Sequence, residues 1–250
     1  MGRVRTGYYR LFAGGCDLKS NVKFNKLAEI FSQLADEQVE ELKQEHPFLN
    51  QNESRWILVR YNIEVKKMIA MGELIKISTY QSSYSKYVCI RDYIVQDESG
   101  AILMFAQCQW VMRNEANGKI CAIPQEYAAL SSKREAEGFP TLAKIHEPEY
   151  PKEAALDLQT RFYDYDFNGH VNNSVYFSYI LNEQFPIDLH RYQIKNIDIN
   201  YKSGMVFGKT YHLLTQEAQE EGGIALYQKI CNDSDIAAVM ITHWTEKTTI

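Results

Sequence analysis

Residues 16–34 read CDLKSNVKFNKLAEIFSQL, and residues 165–184 read YDFNGHVNNSVYFSYILNEQ. In the first stretch Phe24, Leu27, Ala28, Phe31 and Leu34 recur three or four positions apart, which predicts an amphipathic helix entered through a polar loop. The second repeats the plan, with Val175, Tyr176, Tyr179 and Ile180 on one face. Superposing Asp17 on Asp166 brings Val22 onto Val171 and Leu27 onto Tyr176, so loop and helix face coincide. An internal repeat sets the architecture before any single strand is argued.

The repeat extends past the helices. Residues 61–79, YNIEVKKMIAMGELIKIST, and 197–215, IDINYKSGMVFGKTYHLLT, each open on alternating apolar residues, pass a glycine (Gly72, Gly208) and resume alternation. Residues 87–112 and 224–245 are hairpin patterns with the turn signals DESG and NDSD, ending near Trp110 and Trp244. Each half thus reads as one strand, one apolar helix and four or so antiparallel strands. That α+β order suits a sheet wrapped around a central helix, whose apolar face needs cover. The segment IPQEYAALSSKREAEGFPTLAKIHEPEYPKE, rich in Pro, Glu and Lys, has no strand alternation and reads as the connection. The expected organisation is a domain over 1–135, a linker over 136–152 and a domain over 153–250.

The 250 residues suffice for two such domains, and an apolar fraction of 45% supplies their cores. A net charge of -5 lacks the basic excess that sequence-independent phosphate binding requires, which argues against nucleic acid as a partner. No apolar run approaches the length of a membrane span, and MGRVRTGYYRLF lacks a signal peptide's apolar core, so the expected location is cytoplasmic without membrane insertion. The five cysteines are odd in number, widely spaced and without CxxC. Neither a disulfide framework nor a zinc site is expected, and the thiols should be reduced and mostly buried.

Within DYDFNGHVNN, residues 164–173, Asp166, Asn168 and His170 are each separated by one residue. In an extended segment they would share one face, with Tyr165, Phe167 and Val171 on the other. Asn172 or Asn173 can cap the following helix and leave its free N–H groups beside that polar face. Such a set suits hydrolysis of an acyl thioester, which needs a base or polarising group for water and donors for the oxyanion, while a thiolate leaves without strong acid assistance. Neither a metal nor an organic cofactor is required. The same residues also suit a plain strand-to-helix turn, because Asp, Asn and Gly favour turns and caps.

At RFYDYDFNGHVNNSVYFSYILNE, residues 161–183, the sequence resembles the acyl-acyl carrier protein thioesterases, whose signature is D-x-D-x-N-x-H-V-N-N followed by x-x-Y and an apolar helix. WILVRYNIEV, QCQWVM and the pair Ile123 and Pro124 extend the resemblance through the first half. It implies a tandem hotdog fold and fatty acyl-acyl carrier protein as substrate. It also implies Asp166, Asn168 and His170 as catalytic residues of the second hotdog, with the first shaping the acyl pocket. The stretch CDLKSNV keeps Asp17 but has Ser20 and Asn21 where the second half has Gly169 and His170, so one active site per chain is expected.

Trp56, Val59 and Tyr61 are expected to line the acyl pocket, and Arg191, Lys195, Lys202 and Lys209 to dock the acidic carrier protein. Where many members carry a glutamate, this sequence has Gly204 followed by Met205, neither of which activates water; Asp198 and Glu217 stand too far off in sequence to replace it. Three other readings stay open here: an acyl-CoA thioesterase, a non-catalytic acyl-thioester binder, and a hydroxyacyl dehydratase of the same fold. Two fused hotdogs are compatible with a monomer or a homodimer.

Overall fold

The computed structural model describes residues 3–50, 54–132, 137–139, 142–151, 155–182, 188 and 190–247. Residues 136, 140–141 and 152 of the expected linker lie outside the described residues, as do 183–184 of the second helical stretch. The chain divides into two units, Met1–Tyr61 with Lys66–Pro140, and Asn62–Val65 with Thr141–Ile250.

Unit 1 runs β1 (Arg5–Arg10), α1 (Phe24–Glu45), β2 (Ser54–Val65, of which Asn62–Val65 count with unit 2), β3 (Leu74–Tyr84), β4 (Cys89–Gln96), β5 (Ile102–Asn114) and the short β6 (Ile120–Cys121). Its strands lie in the order β1-β3-β4-β5-β2, with β6 paired to β5. On α1 the expected residues Phe24, Leu27, Ala28, Phe31 and Leu34 are all buried, and the outward face carries the pairs Lys26–Glu29 and Lys43–Glu40. Full burial contributes about 1.5–3 kcal/mol for each large apolar side chain, far more than such exposed ion pairs do. The packing of α1 on the sheet is explicit where Tyr93 stacks on Phe31 at 4.5 Å and its hydroxyl donates to the Phe31 carbonyl at 3.0 Å.

Unit 2 repeats the order with β7 (Leu156–Leu158), α2 (Val175–Asn182), β8 (Tyr192–Tyr201), β9 (Tyr211–Glu220), β10 (Gly223–Cys231) and β11 (Ile236–Glu246), arranged β8-β11-β10-β9-β7. Helix α2 buries Tyr176, Phe177 and Ile180, whereas Val175 and Tyr179 of the expected face are half-buried; Phe177 is the addition. Both hairpin signals form turns. Asp97 N–H donates to Ala101 O at 3.0 Å and Asn232 N–H to Asp235 O at 2.9 Å. Cys16, Cys89 and Cys108 are buried, Cys121 and Cys231 half-buried, and all five are unpaired. No helix of the described residues is long and apolar enough to cross a membrane.

Candidate active site

The stretch DYDFNGHVNN is not extended. Asp166 N–H donates to His170 O at 2.9 Å and Gly169 N–H to Asp166 O at 3.0 Å, closing a tight turn whose ends pair Tyr165 with Val171. Gly169 sits at φ +74°, the left-handed region that glycine enters without steric cost. The expected shared face of alternating side chains is therefore replaced by a turn, because backbone pairing across four residues outweighs extension. A second consequence follows for the apolar set: Val171 is buried, but Phe167 is 93% exposed rather than packed beside it.

The turn still brings the three polar residues together. Asp166 Oδ1 accepts the Asn168 N–H at 2.8 Å, and Asn168 Nδ2 lies 3.4 Å from Asp166 Oδ2. His170 Nδ1 is 3.0 Å from the Asn168 carbonyl oxygen. A carbonyl only accepts, so Nδ1 carries the proton, and in the neutral form of the imidazole the lone pair is on Nε2. All three side chains are half-buried. Neither expected helix cap is what this bond provides: Asn172 Oδ1 accepts Ser174 N–H at 2.9 Å, an Asx turn one residue ahead of α2, and the Val175 N–H goes to the Asn172 backbone carbonyl at 2.9 Å.

The loop after β8 runs alongside. His170 bridges to Val206, and Val171 N–H donates to Met205 O at 2.9 Å. Two tyrosines hold this loop. The Tyr176 hydroxyl accepts Met205 N–H at 3.2 Å and the Tyr211 hydroxyl accepts Val206 N–H at 3.1 Å. Burial pushes the Tyr176 phenol up to about 12, so it stays neutral in this role. Sequence reading placed Tyr176 on a helix face and gave no sign of its loop contact, which spans 29 positions. Equally illegible was a rim of exposed aromatics around the turn, Phe162, Tyr163, Phe167 and Phe207.

The remaining expected residues fall in several places. Trp56 meets Tyr127 edge-on at 5.5 Å in a cluster with Leu42, Cys89 and Met112. Tyr61 is buried and stacks on Phe31 at 6.4 Å, and Val59 is half-buried on the same strand. Arg191, Lys195, Lys202 and Lys209 are exposed, with Arg191 paired to Glu246 at 2.5 Å and Lys209 to Asp235 at 3.6 Å. Arg191 precedes β8 and Lys202 follows it, so roughly 35 Å of strand separates them. Asp198 is buried on β8, where its Oδ2 accepts from Asn62 Nδ2 at 2.9 Å, and Glu217 lies exposed on β9. Neither belongs to the turn.

Unit 1 contains the same turn. Asp17 N–H donates to Asn21 O, Ser20 N–H to Asp17 O, and Val22 N–H to Ile69 O, at 2.7, 3.0 and 2.8 Å. Cys16 pairs with Val22 and Asn21 with Ala70, as Tyr165 does with Val171 and His170 with Val206. Asp17, Lys19 and Asn21 thus take the places of Asp166, Asn168 and His170.

Comparison with known proteins agrees with this geometry. The sequence matches the acyl-ACP thioesterase N-terminal domain over residues 2–131 and the C-terminal domain over residues 148–246. An Arabidopsis thaliana oleoyl-acyl carrier protein thioesterase is 29% identical over 67% of this chain and 49% of its own length. The chain spans about half the length of the curated relatives it matches. A solved structure from Lactobacillus plantarum superposes with TM-score 0.87 at 20% identity, covering 99% of this chain and 98% of that one. That of an acyl-ACP thioesterase from Bacteroides thetaiotaomicron gives 0.83 at 19% identity, covering 96% and 97%. These likenesses establish the tandem hotdog fold. With one family domain matched in each half of a chain whose two turns repeat the same backbone hydrogen bonds, the protein belongs to the acyl-ACP thioesterase family.

Proposed function

We propose that this chain hydrolyses the thioester of a medium- or long-chain fatty acyl group carried on acyl carrier protein, releasing the free acid and ending elongation. The observation that carries the reading is the bond from His170 Nδ1 to the Asn168 carbonyl, which leaves Nε2 as a base. In the proposed reaction Nε2 takes a proton from water, and the hydroxide attacks the thioester carbonyl carbon. The tetrahedral oxyanion is met by a donor, for which Asn168 Nδ2 is our assignment. The carbon–sulfur bond then breaks, and the proton on Nε2 passes to the departing thiolate. Asp166 holds Asn168 through its backbone and side chain, so its role is orientation as much as water activation.

The first hotdog would take the acyl chain, with Trp56, Val59 and Tyr61 as its proposed contacts. For the carrier protein, Lys202 and Lys209 flank the loop beside the turn, which favours them over Arg191 and Lys195 toward the other end of β8. We assign the activity to the cytoplasm.

The test is a panel of acyl-acyl carrier proteins and acyl-CoAs of stepped chain length, including 3-hydroxyacyl forms, with products identified by mass. Free acid from the carrier-bound substrates is the expected result. Turnover should fall on the order of 10²–10⁴-fold in His170→Ala and Asp166→Ala. Preference for CoA substrates would make it an acyl-CoA thioesterase, and enoyl products a dehydratase. Unchanged turnover in both variants rejects the residue roles, and binding without turnover assigns an acyl-thioester binder.

A further inference from the structure

Gly204 stands where a glutamate is expected from the family resemblance, and the structure offers a steric reason. A Cβ built there would lie 2.1 Å from His170 Cδ2, 2.8 Å from Cγ and 3.1 Å from Nε2. Carbon atoms are at ease only from roughly 3.5 Å outward. The clash reaches Cγ, so the whole ring must swing aside before any side chain fits at this position. Gly204 is not among the glycines at positive φ. Close approach, rather than left-handed backbone, is what requires glycine here.

Unit 1 provides an internal control. Lys66 and Lys67 N–H both donate to Leu103 O at 2.9 and 3.1 Å, as Lys202 and Ser203 N–H both donate to Ala237 O at 2.9 and 3.2 Å. Ile69 and Met205 then accept from Val22 and Val171. Met68 therefore holds the register position of Gly204. The turn with the short Asn21 goes with a methionine, and the turn with the imidazole goes with a glycine.

We propose that Gly204 is a positioning residue for His170: its missing side chain is the space in which the imidazole sits with Nδ1 on the Asn168 carbonyl and Nε2 available as base. A glutamate at 204 and this ring position exclude one another, so the chain works without a carboxylate from that loop. The inference rests on the proposed role of His170, yet its geometric content can be tested separately.

The experiment uses the full chain with Gly204→Ala. Ring signals of ¹³C-histidine, with His170 identified by loss in His170→Gln, report ring position; kcat and KM on acyl-acyl carrier protein report function. The His170 signal should shift and kcat should fall on the order of 100-fold, with KM within about twofold. If Gly204→Ala lowers the folded yield, removing the ring in Gly204→Ala/His170→Ala should restore it. A His170 signal unchanged from wild type, or a folding defect that persists in the double variant, overturns the proposal. Should wild type hydrolyse no thioester, the functional reading fails, while the ring shift still decides the positioning.

Discussion

In the turn of unit 1, Asp17 Oδ1 accepts two backbone N–H groups, from Lys19 and Asn21, both at 2.9 Å. In the turn of unit 2, Asp166 Oδ1 accepts the N–H of Asn168, and the histidine in the place of Asn21 donates from its ring to a carbonyl. The backbone frame is the same in both. What differs is how the side chains are spent: the first turn directs its carboxylate to closing itself, while the second sets an imidazole with a lone pair facing away. A duplicated scaffold thus separates the cost of making the turn from the chemistry mounted on it. The neighbouring loop follows suit, with Met68 in one unit and Gly204 in the other.

Making the second turn resemble the first is the strongest way to break this comparison. His170→Asn should lower kcat on acyl-acyl carrier protein by on the order of 10²–10⁴-fold, since it deletes the proposed base. Its unfolding midpoint in urea should move little, because one half-exposed hydrogen bond contributes only about 1 kcal/mol. A matched pair comes next. Asp166→Ala should reduce turnover, whereas Asp17→Ala should leave turnover unchanged and cost about 1 kcal/mol of stability, as losing a capping side chain does. Equal losses of turnover in the two variants would contradict the division of labour.

The smallest effect concerns backbone strain. Ser20 sits at φ +61°, where unit 2 has Gly169. A non-glycine residue in that region costs roughly 1–2 kcal/mol, partly offset by the roughly 0.5–1 kcal/mol entropy that glycine loses on folding. Ser20→Gly should therefore raise stability by about 0.5–1 kcal/mol with no change in turnover. A melting curve is sufficient to read it.

Much of this molecule was determined by the sequence alone. The helix face of Phe24, Leu27, Phe31 and Leu34, the hairpin turns at DESG and NDSD and the duplication are written in short-range periodicity, which backbone geometry turns into structure. The D-x-N-x-H spacing was equally plain, although its reading as an extended face was not what forms. Only the tertiary structure decided that those residues meet through a closed turn and that the His170 proton sits on Nδ1. The same holds for Tyr176 restraining the Met205 loop, for Lys202 and Arg191 standing at opposite ends of one strand, and for Gly204 being the space of an imidazole. The contacts of Tyr176 and Gly204 bring together residues far apart in sequence, and spacing along a chain carries no record of which backbone will pack against a given ring.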